Sequence, residues 1–350
     1  MSGILSFKPM IEDLAREYGG IHLNQTLFAR VLSEMVIGLA GYQEEGERIV
    51  PLIFLTTDLR LLLVSVKGND CIKIGEGPLH PKTSLAILKT CGPLSQNQEW
   101  AIYVLLGPNQ VEFGVFRTDR FPLHESSFQR LKNFGEQPIP IIGLRKIGIY
   151  NVEIRSASGQ HHYIDPSGMV SLSQTPTTMI HQWVTSITAS VPQHLKKKMS
   201  AFYRRIAVEV LSSSHGALIA VIPSKTTIPE FLSDGVALPE GSGLADAMKR
   251  YLKDRSEAAT LSLTARSNLL RKMIAMDGVT IFDSSGDVLA YNCFVRNVQS
   301  FNPRQMILGG ARKRAFDILA SRIDHELDFA LYQSQDGFGQ SRMAKRIQGI

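Results

Sequence analysis

The sequence predicts an α/β (α+β) chain of two domains, a mixed α/β N-terminal domain and a C-terminal mixed sheet flanked by helices, and three observations carry that prediction. The chain has 350 residues, too many for a single small core. Short apolar runs bounded by turn residues alternate with longer stretches whose apolar positions recur every three or four residues. Hydrophobic residues make up 44% and charged residues 20%, the proportions of an ordinary globular protein.

The first domain is expected over residues 1–190. Leu27, Phe28, Val31, Leu32, Met35, Val36 and Leu39 form one stripe of a long amphipathic helix. Strand-like runs follow at 51–55, 61–66, 101–106, 111–117 and 149–154, and a helix around 177–190 closes the domain. The run 50-VPLIFLTTDLRLLLVSV-66 is the longest apolar stretch, but Asp58 and Arg60 break it. It reads as two adjacent strands and not as a membrane span. The pair His161-His162 reads as part of a solvated polar turn.

Pro192 opens a basic helix, 193-QHLKKKMSAFYRRIAVEVLSSS-214, read as a linker over 191–214. Its alternative reading is a nucleic-acid-binding face along 196–205. The second domain, 215–341, starts with a buried strand in 215-HGALIAVIPS-224. A short helix or loop at 228–238 and helices at 243–253 and 262–273 come next. A hairpin over 279–282 and 288–295 turns at Asp283-Ser284-Ser285-Gly286. A helix after Gly310, a strand at 329–333 and a polar tail at 342–350 end the chain. No internal repeat and no low-complexity segment is visible.

Net charge is +6 with scattered cations, mild for a nucleic-acid binder, so nucleic acid is not an expected partner. The three cysteines are too few and too dispersed for a zinc site or a disulfide framework, and fit a reducing cytosol. The first twenty residues lack an apolar signal-peptide core, so the expectation is a cytoplasmic protein with no membrane partner. P-loop, zinc-protease and nucleophile-elbow motifs do not occur. Gly241-Ser242-Gly243 reads as a turn leading into a helix.

Two short motifs carry the chemistry. In 309-GGARKRAFDIL-319 three cations stand in the first turn of a helix, against a dipole that makes each one cost about 0.3–1 kcal/mol. Either they fan out into water, or an anion belongs there and meets bare backbone N–H groups beside the glycines. The other motif is Asp277-Gly278 at the mouth of a strand, which reads as a turn cap or as a divalent-metal ligand with room for a close ligand approach. Together they have the parts for nucleotidyl transfer.

Here the sequence resembles the diadenylate cyclase family, over residues 205–341. The segments 216-GALIAVI-222 and 232-LSDGVAL-238 are similar to the family's opening strand and loop, 277-DGVTIFDSSGDVLAYNCF-294 to its Asp-Gly-Ala hairpin, and 309-GGARKRA-315 to its Gly-Thr-Arg-His-Arg motif. The first domain looks like the sensor domains that precede some of these cyclases, chiefly around 43-QEEGERIVPLIFL-55, with a ligand its residues do not specify.

The resemblance implies ATP as substrate, Mg²⁺ or Mn²⁺ as cofactor, cyclic di-AMP as product, and a homo-oligomer with modules face to face. Asp277 would be catalytic and a metal ligand, with Asp336 as a second metal ligand. Gly278, Val279, Phe294, Gly310, Ala311, Arg312, Lys313 and Arg314 would bind the nucleotide, Phe294 near the adenine and the arginines on the triphosphate. The sequence departs from the family where Ala311 stands for threonine, Lys313 for histidine, Val279 for alanine, and Ser334-Gln335-Asp336 for Ser-Glu-Glu. About four extra residues lie between Arg314 and Asp328. These departures keep open a second reading, a nucleotide sensor of the same fold with weak or no turnover.

Overall fold

The computed structural model describes residues 8–19, 24–44, 47–95, 99–119, 121, 123, 126–131, 141–148, 150–166, 174–213, 216–296, 310–335 and 338–348. The chain divides into two compact units, 1–170 and 171–350, both mixed α/β with one main sheet flanked by helices. The helix expected to close the first domain and the expected linker helix both fall in the second unit.

The first unit contains α1 (Lys8–Gly19), α2 (Gln25–Gly41), a small pair β1 (Gln43–Glu44) and β2 (Glu47–Arg48), β3 (Leu52–Thr56), α3 (Leu59–Val66), β4 (Asn69–Pro78), α4 (Pro81–Cys91), β5 (Trp100–Leu106), β6 (Gln110–Arg117), α5 (Ser127–Arg130), β7 (Ile141–Lys146), β8 (Val152–Ser156) and β9 (His161–Ile164). Its main sheet has the order β4-β6-β5-β3-β7-β8-β9, with β3 and β5 parallel and every other pair antiparallel. The predicted stripe on α2 is buried from Phe28 to Leu39.

Residues 61–66, expected as a strand, are helical. Asp58 accepts from the Leu61 amide at 2.9 Å and caps α3. Lys67 ends it in the left-handed region at φ 54°. Leu62 and Val66, four apart, are buried while Val64 is exposed, so a helical face hides inside a mostly apolar run. His161-His162 also departs from expectation, lying in β9, where His161 bonds Glu153 across the ladder.

The second unit contains α6 (Pro176–Ile187), α7 (Gln193–Ser213), β10 (Ala217–Ile222), β11 (Asp234–Ala237), α8 (Leu244–Asp254), α9 (Glu257–Ile274), β12 (Val279–Asp283), β13 (Val288–Phe294), α10 (Ala311–Ser321), β14 (Phe329–Gln333), β15 (Gly339–Met343) and α11 (Lys345–Gln348). The sheet order is β11-β13-β12-β10-β14-β15, again with one parallel pair, β10 and β12, in an otherwise antiparallel sheet.

α7 is no solvated connector. Leu195, Met199, Phe202, Tyr203, Ile206 and Val210 are buried at helical spacing, and Tyr203 donates to the Gly286 carbonyl at 2.5 Å. Arg205 is buried and paired with Glu209, so it is not part of a basic surface stripe. The expected polar tail is ordered as β15 and α11, with Ala344 and Ile347 buried. No described helix is long and apolar enough to cross a membrane.

Glu153 anchors the outer strands of the first unit. It is 1% exposed and meets Arg145 at 2.5 Å and Arg155 at 3.3 Å. Burial raises its carboxyl, but the Arg145 charge and the hydrogen bonds from His161 and Arg145 outweigh that and hold it at about 2, below its ordinary 4.5. A depressed carboxyl stabilises the fold above its unfolded value and loses that contribution as pH falls toward the folded one. The first unit should therefore lose on the order of 3 kcal/mol between about pH 4.5 and 2. Urea unfolding followed across that range checks it; a Glu153→Gln chain should be less stable at pH 7 and lack this part of the acid dependence.

Candidate functional site

The site lies at one end of the second sheet, where four strands and a helix begin or end. Because β10 and β12 are parallel, their starts meet there. Because β13 and β14 run the other way, their ends meet there too. α10 packs over β10 and β14 and starts at the same edge.

Asp277-Gly278 forms the approach to β12. Thr280 ties the loop back by donating to the Met273 carbonyl at the end of α9, and Gly278 turns the chain at φ 87°. A Cβ on Gly278 would stand 2.8 Å from the Cys293 carbonyl oxygen and 3.0 Å from the Asn292 carbonyl carbon. Only glycine allows that approach. β13 bulges at this point, with Asn292 at φ 53° and the ladder register shifting between Val279 and Ile281. Such a bulge re-aims the side chains that follow it, here Cys293 inward and Phe294 to the rim. Phe294 is 53% exposed, a large aromatic face in water at the mouth of a cavity.

α10 starts at Gly310, which as a glycine supplies no side-chain cap to the first turn. Arg312 reaches Asp277 at 2.6 Å. Its guanidinium passes over Gly216, where an added Cβ would come within 2.6 Å of Arg312 Nη1. Lys313 pairs with Asp317 one turn on and lies 5.5 Å from the Phe316 ring centroid.

These pieces line one cavity of about 570 Å³. Asp277, Gly278, Val279 and Phe294 contribute from the hairpin, and Gly310, Ala311, Arg312 and Lys313 from the helix start. Eight of the predicted residues thus come together across more than thirty positions of sequence. Arg314 does not: its side chain is exposed and outside the lining. Asp336 lies outside the described residues.

The lining also includes residues that sequence reasoning passed over. Leu218, Cys293, Val295, Ala315 and Tyr332 make an apolar wall, and Ser334 and Gln335 a polar edge. Their signal was slight, since strand ends far apart in sequence supply most of them. Burial pushes the Cys293 thiol up to about 11, with Asp234 adding to it, so it remains a neutral thiol near pH 7 and part of the wall.

Among the described residues no group of three His, Cys, Asp or Glu gathers to hold a metal, and Asp277 is the one acid lining the cavity. One carboxylate suffices for an ion that takes its other ligands from water and substrate phosphates, as Mg²⁺ does. The Asp277 side chain is 80% exposed at the mouth and fits that role.

Gly278→Ala should destabilise the second unit by roughly 1–3 kcal/mol, because the left-handed backbone and the Cys293 carbonyl both oppose a methyl group there. Thermal unfolding checks this; an unchanged midpoint would mean that the turn relaxes freely.

The chain matches no protein-family model, no curated protein and no solved structure.

Proposed function

We propose that the second unit is a diadenylate cyclase module, which condenses two ATP into cyclic di-AMP with release of two pyrophosphates. The observation that carries this reading is the cavity itself. It joins an acid beside a close backbone approach, Asp277-Gly278, to an uncapped basic helix start, Gly310–Lys313, with an apolar wall and an exposed aromatic between them.

Each part has a task. The first-turn N–H groups of α10 and Arg312 receive triphosphate oxygens, a charge-assisted bond aided by the helix dipole. The wall of Leu218, Cys293 and Tyr332 with the Phe294 ring takes the adenine. Asp277 would hold a divalent cation, Mg²⁺ or Mn²⁺, which when bound would supply charge neutralisation for the leaving group. Asp277 also draws the proton from the ribose 3′-hydroxyl. That oxygen attacks the α-phosphorus of the other ATP; a new P–O bond forms, the bond to the β-phosphate bridge breaks, and pyrophosphate leaves. The second ATP repeats the step in return. One cleft holds one ATP, so the two nucleotides meet when two modules face each other about a two-fold axis. The first unit acts as a regulatory domain.

The second reading is a nucleotide sensor of the same fold without turnover. Ala311 offers no hydroxyl, Lys313 is already committed to Asp317, and Asp277 stands as the one described acid in the cavity.

Asp277→Asn separates the two. For a cyclase, turnover should fall by roughly 10²–10⁴-fold while ATP still binds. Full activity in this variant would remove Asp277 from the mechanism. In the same assay Arg312→Ala should weaken ATP binding by about 1.5–3 kcal/mol, and Arg314→Ala, outside the cavity, by much less. Equal effects of the two would mean that the helix start acts only as diffuse charge.

A further inference from the structure

The two units have the same topology. Laid on one another, β4-β6-β5-β3-β7-β8 falls on β11-β13-β12-β10-β14-β15, strand for strand and in the same order along the chain. In each, the central strand is parallel to one neighbour and antiparallel to the other, and the parallel neighbour forms a hairpin with the next strand. In each, two packed helices precede the central strand, α1 and α2 or α6 and α7. A helix also follows the hairpin in each, α5 or α10. Six strands agreeing in order, pairing and sense is more than a shared fold class.

The strand order fixes which strands correspond, and one register of the two ladders sets Ile53, opposite Ile102 and Leu144, on Ile219, opposite Thr280 and Leu331. Placing Ile53 on Ile219 puts Glu99 on Asp277, Phe116 on Cys293 and Arg117 on Phe294. It also puts Val50 on Gly216. Both units then have a cavity at the open end of the same hairpin, since Glu99 and Arg117 line one of about 410 Å³ in the first unit.

That cavity stops at the mouth. Where the second unit has Cys293 in the wall, the first has Phe116, fully buried and 5.6 Å from the Phe54 ring. Phe128 of α5, 1% exposed, fills further space under Arg145. Where Gly216 lets the Arg312 guanidinium pass, Val50 carries a buried side chain. Where Gly310 leaves the helix start uncapped, Ser126 and Gln129 close a capping box on α5. The base pocket, the guanidinium slot and the anion-binding N–H groups are each occupied by the chain's own side chains.

We infer that the chain is a tandem of two copies of one fold, the first closed to nucleotides by Phe116, Phe128, Val50 and the Ser126 cap. Resting on the reading of the second unit as a cyclase, this makes each chain the bearer of one nucleotide. The second nucleotide of a joined pair comes from a second copy of the chain, and the first unit cannot stand in for it.

Hydrogen exchange on the full chain tests this, with an ATP analogue carrying a methylene group between its α- and β-phosphorus atoms, in the presence of Mg²⁺. Exchange should slow at 277–279, 293–295 and 310–315 and stay unchanged at 99–101, 116–119 and 126–131, and calorimetry should find one analogue per chain. Slowed exchange in the first-unit segments, or two analogues per chain, would overturn the inference. No change in either unit would remove the nucleotide reading of the second while agreeing with a closed first copy.

Discussion

The candidate site depends on the hydrogen-bonded parallel pair β10–β12 at the centre of the second sheet. With antiparallel neighbours on both sides, this pair brings two strand starts and two strand ends to one edge. Turn any one of these strands around and Asp277, Phe294 and Tyr332 no longer share an edge. The approach of Gly278 to the Cys293 carbonyl then sets the depth of the mouth, and the bulge at Asn292 sets which side chains face it. The cavity is therefore built largely on strand ends joined by the ladder.

Electrostatics at the start of α10 follow from this placement. Three consecutive cations oppose the helix dipole at about 0.3–1 kcal/mol each. Two have partners of their own, Arg312 in Asp277 and Lys313 in Asp317, while Arg314 is exposed to water. The partners differ in kind. Asp317 belongs to the same helix and holds Lys313 at close range. Asp277 is 80% exposed, and an ion pair that open is worth about 0–1 kcal/mol, so a phosphate can displace it from Arg312 at little cost.

How much could be read from the sequence varies with how local the signal is. The β12–β13 hairpin and β14 were legible because turn residues and apolar runs mark them, and the clustering of Asp277 with the helix start followed from motif order. Helix α3 was not, since its eight residues are nearly all Leu and Val with no clear period, and only Asp58 betrays the cap. β4 has the exposed sequence of an edge strand, NDCIKIGEGP, with no apolar alternation to find. In α7 a run of lysines masked a core face. The cavity wall was hidden because Leu218, Cys293 and Tyr332 meet only through strand pairing. For the same reason the two units share a topology with no repeat visible in the sequence: order and register are kept by ladders, and ladders tolerate almost any apolar residue on a buried strand.

The central claim is that this cleft turns ATP over and does not merely hold it. Incubating the pure chain with ATP and Mg²⁺ or Mn²⁺ and weighing the products by mass spectrometry tests it most directly. A product with the mass of two linked adenylates in a ring, accompanied by pyrophosphate, is the predicted result. ATP recovered intact from a chain that demonstrably binds it would contradict the cyclase account and leave a nucleotide-binding cleft without chemistry.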